Sequence, residues 1–123
     1  MKTLGEFYRE KVLSRKDLST RELPVNLGET RIEKEIFGWR LVVGQKMILC
    51  KSEAEARFLK VFLDVDMTEV EVPKDQKYLE SILPELERLK ARMDKVLNFY
   101  LETIFDRRAR ERLRREVFAE LLK

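Results

Sequence analysis

Apolar residues recur at Leu4, Phe7, Tyr8, Val12 and Leu13, the spacing of one helical face. Thr3 stands three residues ahead of Glu6 as a capping box, so the chain is expected to open on a short amphipathic helix running to about Lys16. Residues 17–29 (DLSTRELPVNLGE) show no clear period and carry Pro24, Asn26 and Gly28, which reads as a connection. A helical turn from Ser19, with Glu22 three residues on, is the alternative within it. From Thr30 the period changes to two: Ile32, Lys34 and Ile36 share one face of a strand, and Arg31, Glu33 and Glu35 share the other. Trp39 to Val43 and Lys46 to Cys50 are two β-branched-rich runs around Gly44-Gln45, the length of a tight hairpin turn with a glycine for positive φ.

Ser52-Glu53-Ala54-Glu55 is a second capping box, in which Ser52 accepts from the amide of Glu55 and Glu55 reaches back. A helix should run from there to Asp64–Asp66, with Phe58, Leu59, Phe62 and Leu63 as its apolar stripe. Thr68 to Val72 alternates valine with glutamate and is stopped by Pro73, which predicts a strand. If this strand lies parallel to its predecessor, a right-handed crossover through the helix makes one small mixed sheet. The last 49 residues are helical in pattern. Asp75 caps a helix that Pro84 either kinks or restarts. Leu79, Ile82, Leu86, Leu89, Met93, Val96 and Tyr100 are spaced 3, 4, 3, 4, 3, 4, a heptad seam. With Leu97, Phe99, Leu101, Ile104 and Phe105 the distal end becomes apolar nearly all round and should be enclosed. Asp106 caps a final helix over 107–122, whose Ala109, Leu113, Val117 and Leu121 form a stripe for packing back as a helical hairpin.

The architecture so predicted is α+β in one domain, residues 1–123. It comprises an N-terminal helix, a mixed sheet of about four strands with one crossover helix (1–73), and a long helical hairpin (74–123). Charge adds little globally, since 26 Lys and Arg face 23 Asp and Glu for a net +3. That density of charge beside only Asn26, Asn98, Gln45 and Gln76 resembles proteins that work hot. One cysteine forms no internal disulfide, and no signal peptide or membrane span is legible, so a cytoplasmic protein without a membrane partner is expected. The absence of histidine removes the central residue of serine-type triads, Cys-His pairs and His-ligated zinc sites.

Candidate chemistry is sparse. The glycines stand alone at 5, 28, 38 and 44, so no phosphate-cradling loop exists. Asp64, Asp66, Glu69 and Glu71 offer oxygen ligands of the kind that hold Mg²⁺, but their spacing matches an ordinary solvated turn and strand. Cys50 precedes a helix start, yet Met47, Ile48 and Leu49 mark a buried strand end and no base is at hand. Phe37 and Trp39 read as core aromatics, with an exposed contact surface as the alternative. Residues 107–115 hold six arginines in nine positions. On a helix Arg108, Arg112 and Arg115 fall on one face opposite the apolar stripe, where they can pair with phosphates. Interleaved glutamates and the lack of an exposed aromatic row favour a solvated face instead.

The leading expectation is a non-catalytic interaction or assembly module. It would self-associate or dock a protein through the long helix, with Leu86, Leu89, Met93, Val96 and Tyr100 as the seam and no cofactor. A nucleic-acid-binding accessory module using Arg108, Arg112 and Arg115 is the second reading. A carboxylate-metal enzyme is the third.

Overall fold

The computed structural model describes residues 2–25 and 28–122, and of Leu121 the backbone alone. Thr3 Oγ1 accepts from the Glu6 amide at 3.1 Å and starts α1 (Leu4–Tyr8), which widens into a π-helical segment over Arg9–Leu13. Phe7 and Val12 are fully buried beneath it. Two tyrosines tie this segment down. The Tyr8 hydroxyl accepts from the Glu71 amide at 2.8 Å, and the Tyr78 hydroxyl donates to the Lys11 carbonyl at 2.7 Å, near a helix end that leaves carbonyls without intrahelical donors.

The segment expected to be a connection contains a strand, β1 (Leu18–Glu22). An antiparallel meander follows: β2 (Thr30–Glu35), β3 (Gly38–Val43) and β4 (Lys46–Cys50). Gly44 adopts φ +61° in the two-residue turn between β3 and β4, as the tight hairpin requires. Gly38 has another reason to lack a side chain, because a Cβ there would stand 3.0 Å from the Cys50 carbonyl oxygen. Ile36, assigned by period to a face of β2, instead shares the exposed β2–β3 turn with Phe37.

Ser52 caps α2 (Glu53–Asp64) by accepting from the Glu55 amide at 3.1 Å. Glu55 does not close the box. Its carboxylate is buried and takes Arg21 Nη1 at 2.6 Å and Gln76 Nε2 at 3.4 Å. After α2 comes β5 (Glu69–Pro73), which pairs antiparallel with β1, Thr20 opposite Glu71. The strands therefore form two antiparallel sheets, β2-β3-β4 and β1-β5, in place of one mixed sheet with a parallel crossover. The free edge of β4 is met by a side chain, Arg21 Nη2 donating to the Leu49 carbonyl at 2.6 Å, while β1 supplies the ladder that Val70 and Val72 need.

Asp75 accepts from the amides of Lys77 and Tyr78 at 3.0 and 3.2 Å and opens α3 (Gln76–Leu101). Pro84 lies inside this single helix on its exposed side. Glu80, whose carbonyl loses a donor there, is likewise an exposed residue, which fits a tolerated proline. Asp106 then caps α4 (Arg107–Leu121) through the Arg108 amide at 3.0 Å. The α+β arrangement thus ends in a helical hairpin. α2 is the central element, packed by the β2-β3-β4 sheet on one side and by α3 on the other. Phe58, Leu59, Phe62 and Leu63 of α2 meet Leu79 and Leu86 of α3 and Val70 and Val72 of β5 in one continuous core.

Candidate interaction surface

The heptad seam of α3 divides. Leu79, Ile82, Leu86 and Met93 are buried within the chain, and Leu89 is half-buried against the core. Val96 and Tyr100 are not buried: they are 47% and 53% exposed, and the buried line passes to Leu97 and Leu101 instead. An unsupercoiled helix explains the change. A strict seven-residue repeat drifts about 20° per heptad on a straight helix, so three heptads carry Tyr100 about 60° away from the direction set by Leu79. The distal end is consequently not enclosed as expected. Phe99 is 69% and Phe105 95% exposed, and Phe99 packs edge-on against Tyr100 with ring centroids 5.7 Å apart. Arg88 and Arg92 flank this open stripe on its solvent side.

α4 docks mainly through two residues that lie off the predicted stripe. Phe118 is buried, while Leu113 and Val117 are half-buried; the side chain of Leu121 lies outside the described residues. The Arg114 guanidinium lies 4.9 Å over the Phe118 ring, donates to the Asp64 carbonyl at 3.2 Å and faces the Asp66 carboxylate at 3.7 Å. Arg108, Arg112 and Arg115 are exposed, and Arg115 lines a pocket beside Arg114 with Pro24, Val25 and Met67. None of these three arginines forms an ion pair among the described residues. At the junction with α3, Leu101, Phe105, Arg107, Arg110, Glu111 and Arg114 line an open cleft of about 400 Å³. Local composition reinforces this polarity: residues 86–123 hold 11 Lys and Arg against 7 Asp and Glu, whereas residues 1–85 hold 15 against 16.

The remaining candidates are placed as follows. Among the described residues no group of three or more Asp, Glu or Cys side chains is arranged to hold a metal ion. Asp64 pairs with Lys60 at 3.5 Å, Asp66 turns to Arg114, and Glu71 accepts from Thr20 Oγ1 at 2.6 Å, so the four carboxylates do not converge. Cys50 is buried, its Sγ donating to the Ile48 carbonyl at 3.5 Å; burial and then the nearby Glu55 push its thiol up to about 11. Trp39 packs on the core, but Phe37 is fully exposed, and Met47 and Leu49 on the outer face of β4 are also open to solvent. On that face Glu33 accepts from Arg40 and Arg31, and both hold its carboxyl below the usual carboxylate range, Arg40 most. No helix among the described residues is long and apolar enough to cross a membrane. No protein-family model matches the chain, and neither a curated protein nor a solved structure is significantly similar to it.

The open distal stripe was partly visible in the heptad spacing. Phe99 and Phe105 as exposed aromatics, and Arg114 and Phe118 as the α4 anchor, were not. Only the drift of a straight helix and the length of the 102–106 turn could have signalled them.

Proposed function

We propose that the protein is a non-catalytic assembly module that pairs with a second copy of itself through the distal half of α3. The observation carrying this reading is the exposure of Val96, Phe99 and Tyr100 on a helix whose proximal seam residues are buried. Leu89, Val96 and Tyr100 keep the 7-then-4 spacing of knobs for a facing helix, and a second copy presents the same ridge. An antiparallel pair centred near Val96 would set Arg92 of one copy beside the Tyr100 ring of the other, a favourable cation–π contact in place of a buried charge. The same reading puts the protein in the cytoplasm, where a chain with a single buried thiol and no disulfide is at home.

Sedimentation velocity over a wide concentration range tests it. The expected result is a reversible dimer that Val96→Glu with Tyr100→Glu converts to monomer, with unchanged far-UV circular dichroism because both positions are half exposed. A strict monomer at every concentration overturns the proposal.

A further inference from the structure

α4 concentrates arginines that lack an acidic partner among the described residues. Arg15, Arg21, Arg31, Arg40 and Arg57 each hold a carboxylate of Asp17, Glu55, Glu33 or Glu87, whereas Arg9, Arg88 and Arg92 form no ion pair among the described residues. Among the described residues of α4 only Arg107 and Arg114 have acidic partners, at 3.8 and 3.7 Å. Arg108, Arg112 and Arg115 have none among the described residues, although Glu116 stands four residues after Arg112, where a helical ion pair could form. Arg108 and Arg112 are instead like-charge neighbours at i, i+4, an arrangement that weakens a helix on its own and is relieved by an anion. All three arginines are exposed, and Arg115 also lines a pocket shared with Pro24, Val25 and Met67.

We propose that the solvent face of α4, with Phe105 at its leading end, binds single-stranded nucleic acid. Arg108, Arg112 and Arg115 pair with successive backbone phosphates, and Phe105 stacks a base. At about 1.5 Å rise per residue the three guanidinium groups step about 6 and 4.5 Å along the helix, so one extended strand can run past all of them. Arginine suits the task because its planar fork meets two phosphate oxygens at once. Phe105 is 95% exposed, directly precedes α4, and borders the cleft that Arg107 and Arg110 rim. An exposed ring close to cationic side chains, here Arg107 and Arg110, is the platform that single strands use without sequence preference. The site is separate from the α3 stripe and does not depend on dimer formation.

Fluorescence anisotropy of the full chain with a labelled oligothymidine, titrated at several salt concentrations, tests the proposal. Three phosphate contacts predict a slope of about −2 in log K against log salt, or roughly 20-fold weaker binding for a roughly fourfold rise in salt. Arg108→Glu with Arg112→Glu and Arg115→Glu should abolish binding while leaving the sedimentation behaviour unchanged. Phe105→Ala should weaken it about tenfold with the slope preserved, because stacking releases no counterions. Absence of binding at low salt overturns the proposal, and so does equal competition by polyglutamate, which would mark a charge-only surface. A duplex of the same length bound as tightly, or an inert Phe105→Ala, overturns the single-strand assignment.

Discussion

Arg21 is the residue whose removal should reveal most about how the two sheets are held together. It stands on β1, its Nη1 2.6 Å from the Glu55 carboxylate on α2 and its Nη2 2.6 Å from the Leu49 carbonyl at the edge of β4. Glu55 is 3% exposed, so Arg21→Ala leaves a carboxylate out of water with only Gln76 at 3.4 Å beside it. Breaking one side of a buried pair costs about 3–5 kcal/mol. The Arg21 side chain is 26% exposed, so some water already screens the pair and the low end, about 3 kcal/mol, applies. For a chain of this size that corresponds to a fall in Tm of about 12 °C. Urea unfolding with an unchanged m value is the assay. Much of the cost belongs to the stranded charge rather than to the lost contact, so Arg21→Met with Glu55→Gln should return to within about 1 kcal/mol of the parent protein. A single Arg21→Ala variant costing less than about 1 kcal/mol, or a double variant no better than the single, would refute this reasoning.

The two halves of α3 should respond differently to truncation. Leu86→Ala, in the fully buried part, is expected to cost about 3 kcal/mol in urea unfolding, whereas Val96→Ala should stay within about 0.5 kcal/mol when measured at concentrations where the chain is monomeric. Equal losses would mean that the distal stripe is covered within the chain. Cys50, raised from 9.0 to about 11, should react with iodoacetamide at pH 8 about a hundredfold more slowly in the native protein than in urea, on thiolate content alone. Since its folded value lies above its unfolded one, the thiol's contribution to stability is complete below pH 9 and is lost as pH rises toward 11. Cys50→Ala should lack that part of the alkaline loss.

Local signals proved readable where neighbouring residues decide the structure. Thr3, Ser52, Asp75 and Asp106 each accept from amides at the helix starts they mark, and the Gly44-Gln45 turn joins its strands as its spacing indicates. Misreadings arose where a distant partner decides. Leu18–Glu22 has no strict alternation and becomes a strand because β5 completes its ladder. Glu55 has the position of a capping residue, but Arg21, 34 residues away, draws its side chain elsewhere. The surface was harder to read than the fold. The heptad count treats all seam residues alike, and only the path of a straight α3 separates buried Leu86 from open Tyr100. Likewise the six arginines of 107–115 look uniform in sequence, while the structure sends Arg114 to Asp66 and leaves Arg108, Arg112 and Arg115 exposed without an acidic partner among the described residues.

The separation of the strands into two sheets sets an order of assembly. The β2-β3-β4 meander needs only two-residue turns, so its ladders close small loops and can form early. The β1-β5 ladder joins positions such as Thr20 and Glu71, 51 residues apart, and must wait until the meander and α2 have shortened the distance between them. Tyr8 then locks β5 to the N-terminal helix through the Glu71 amide. The N-terminal segment, β1 and β5 therefore behave as a clasp fastened last over an already folded centre. Their amides should be the first to exchange when the native protein opens, while those of α2 hold to the end.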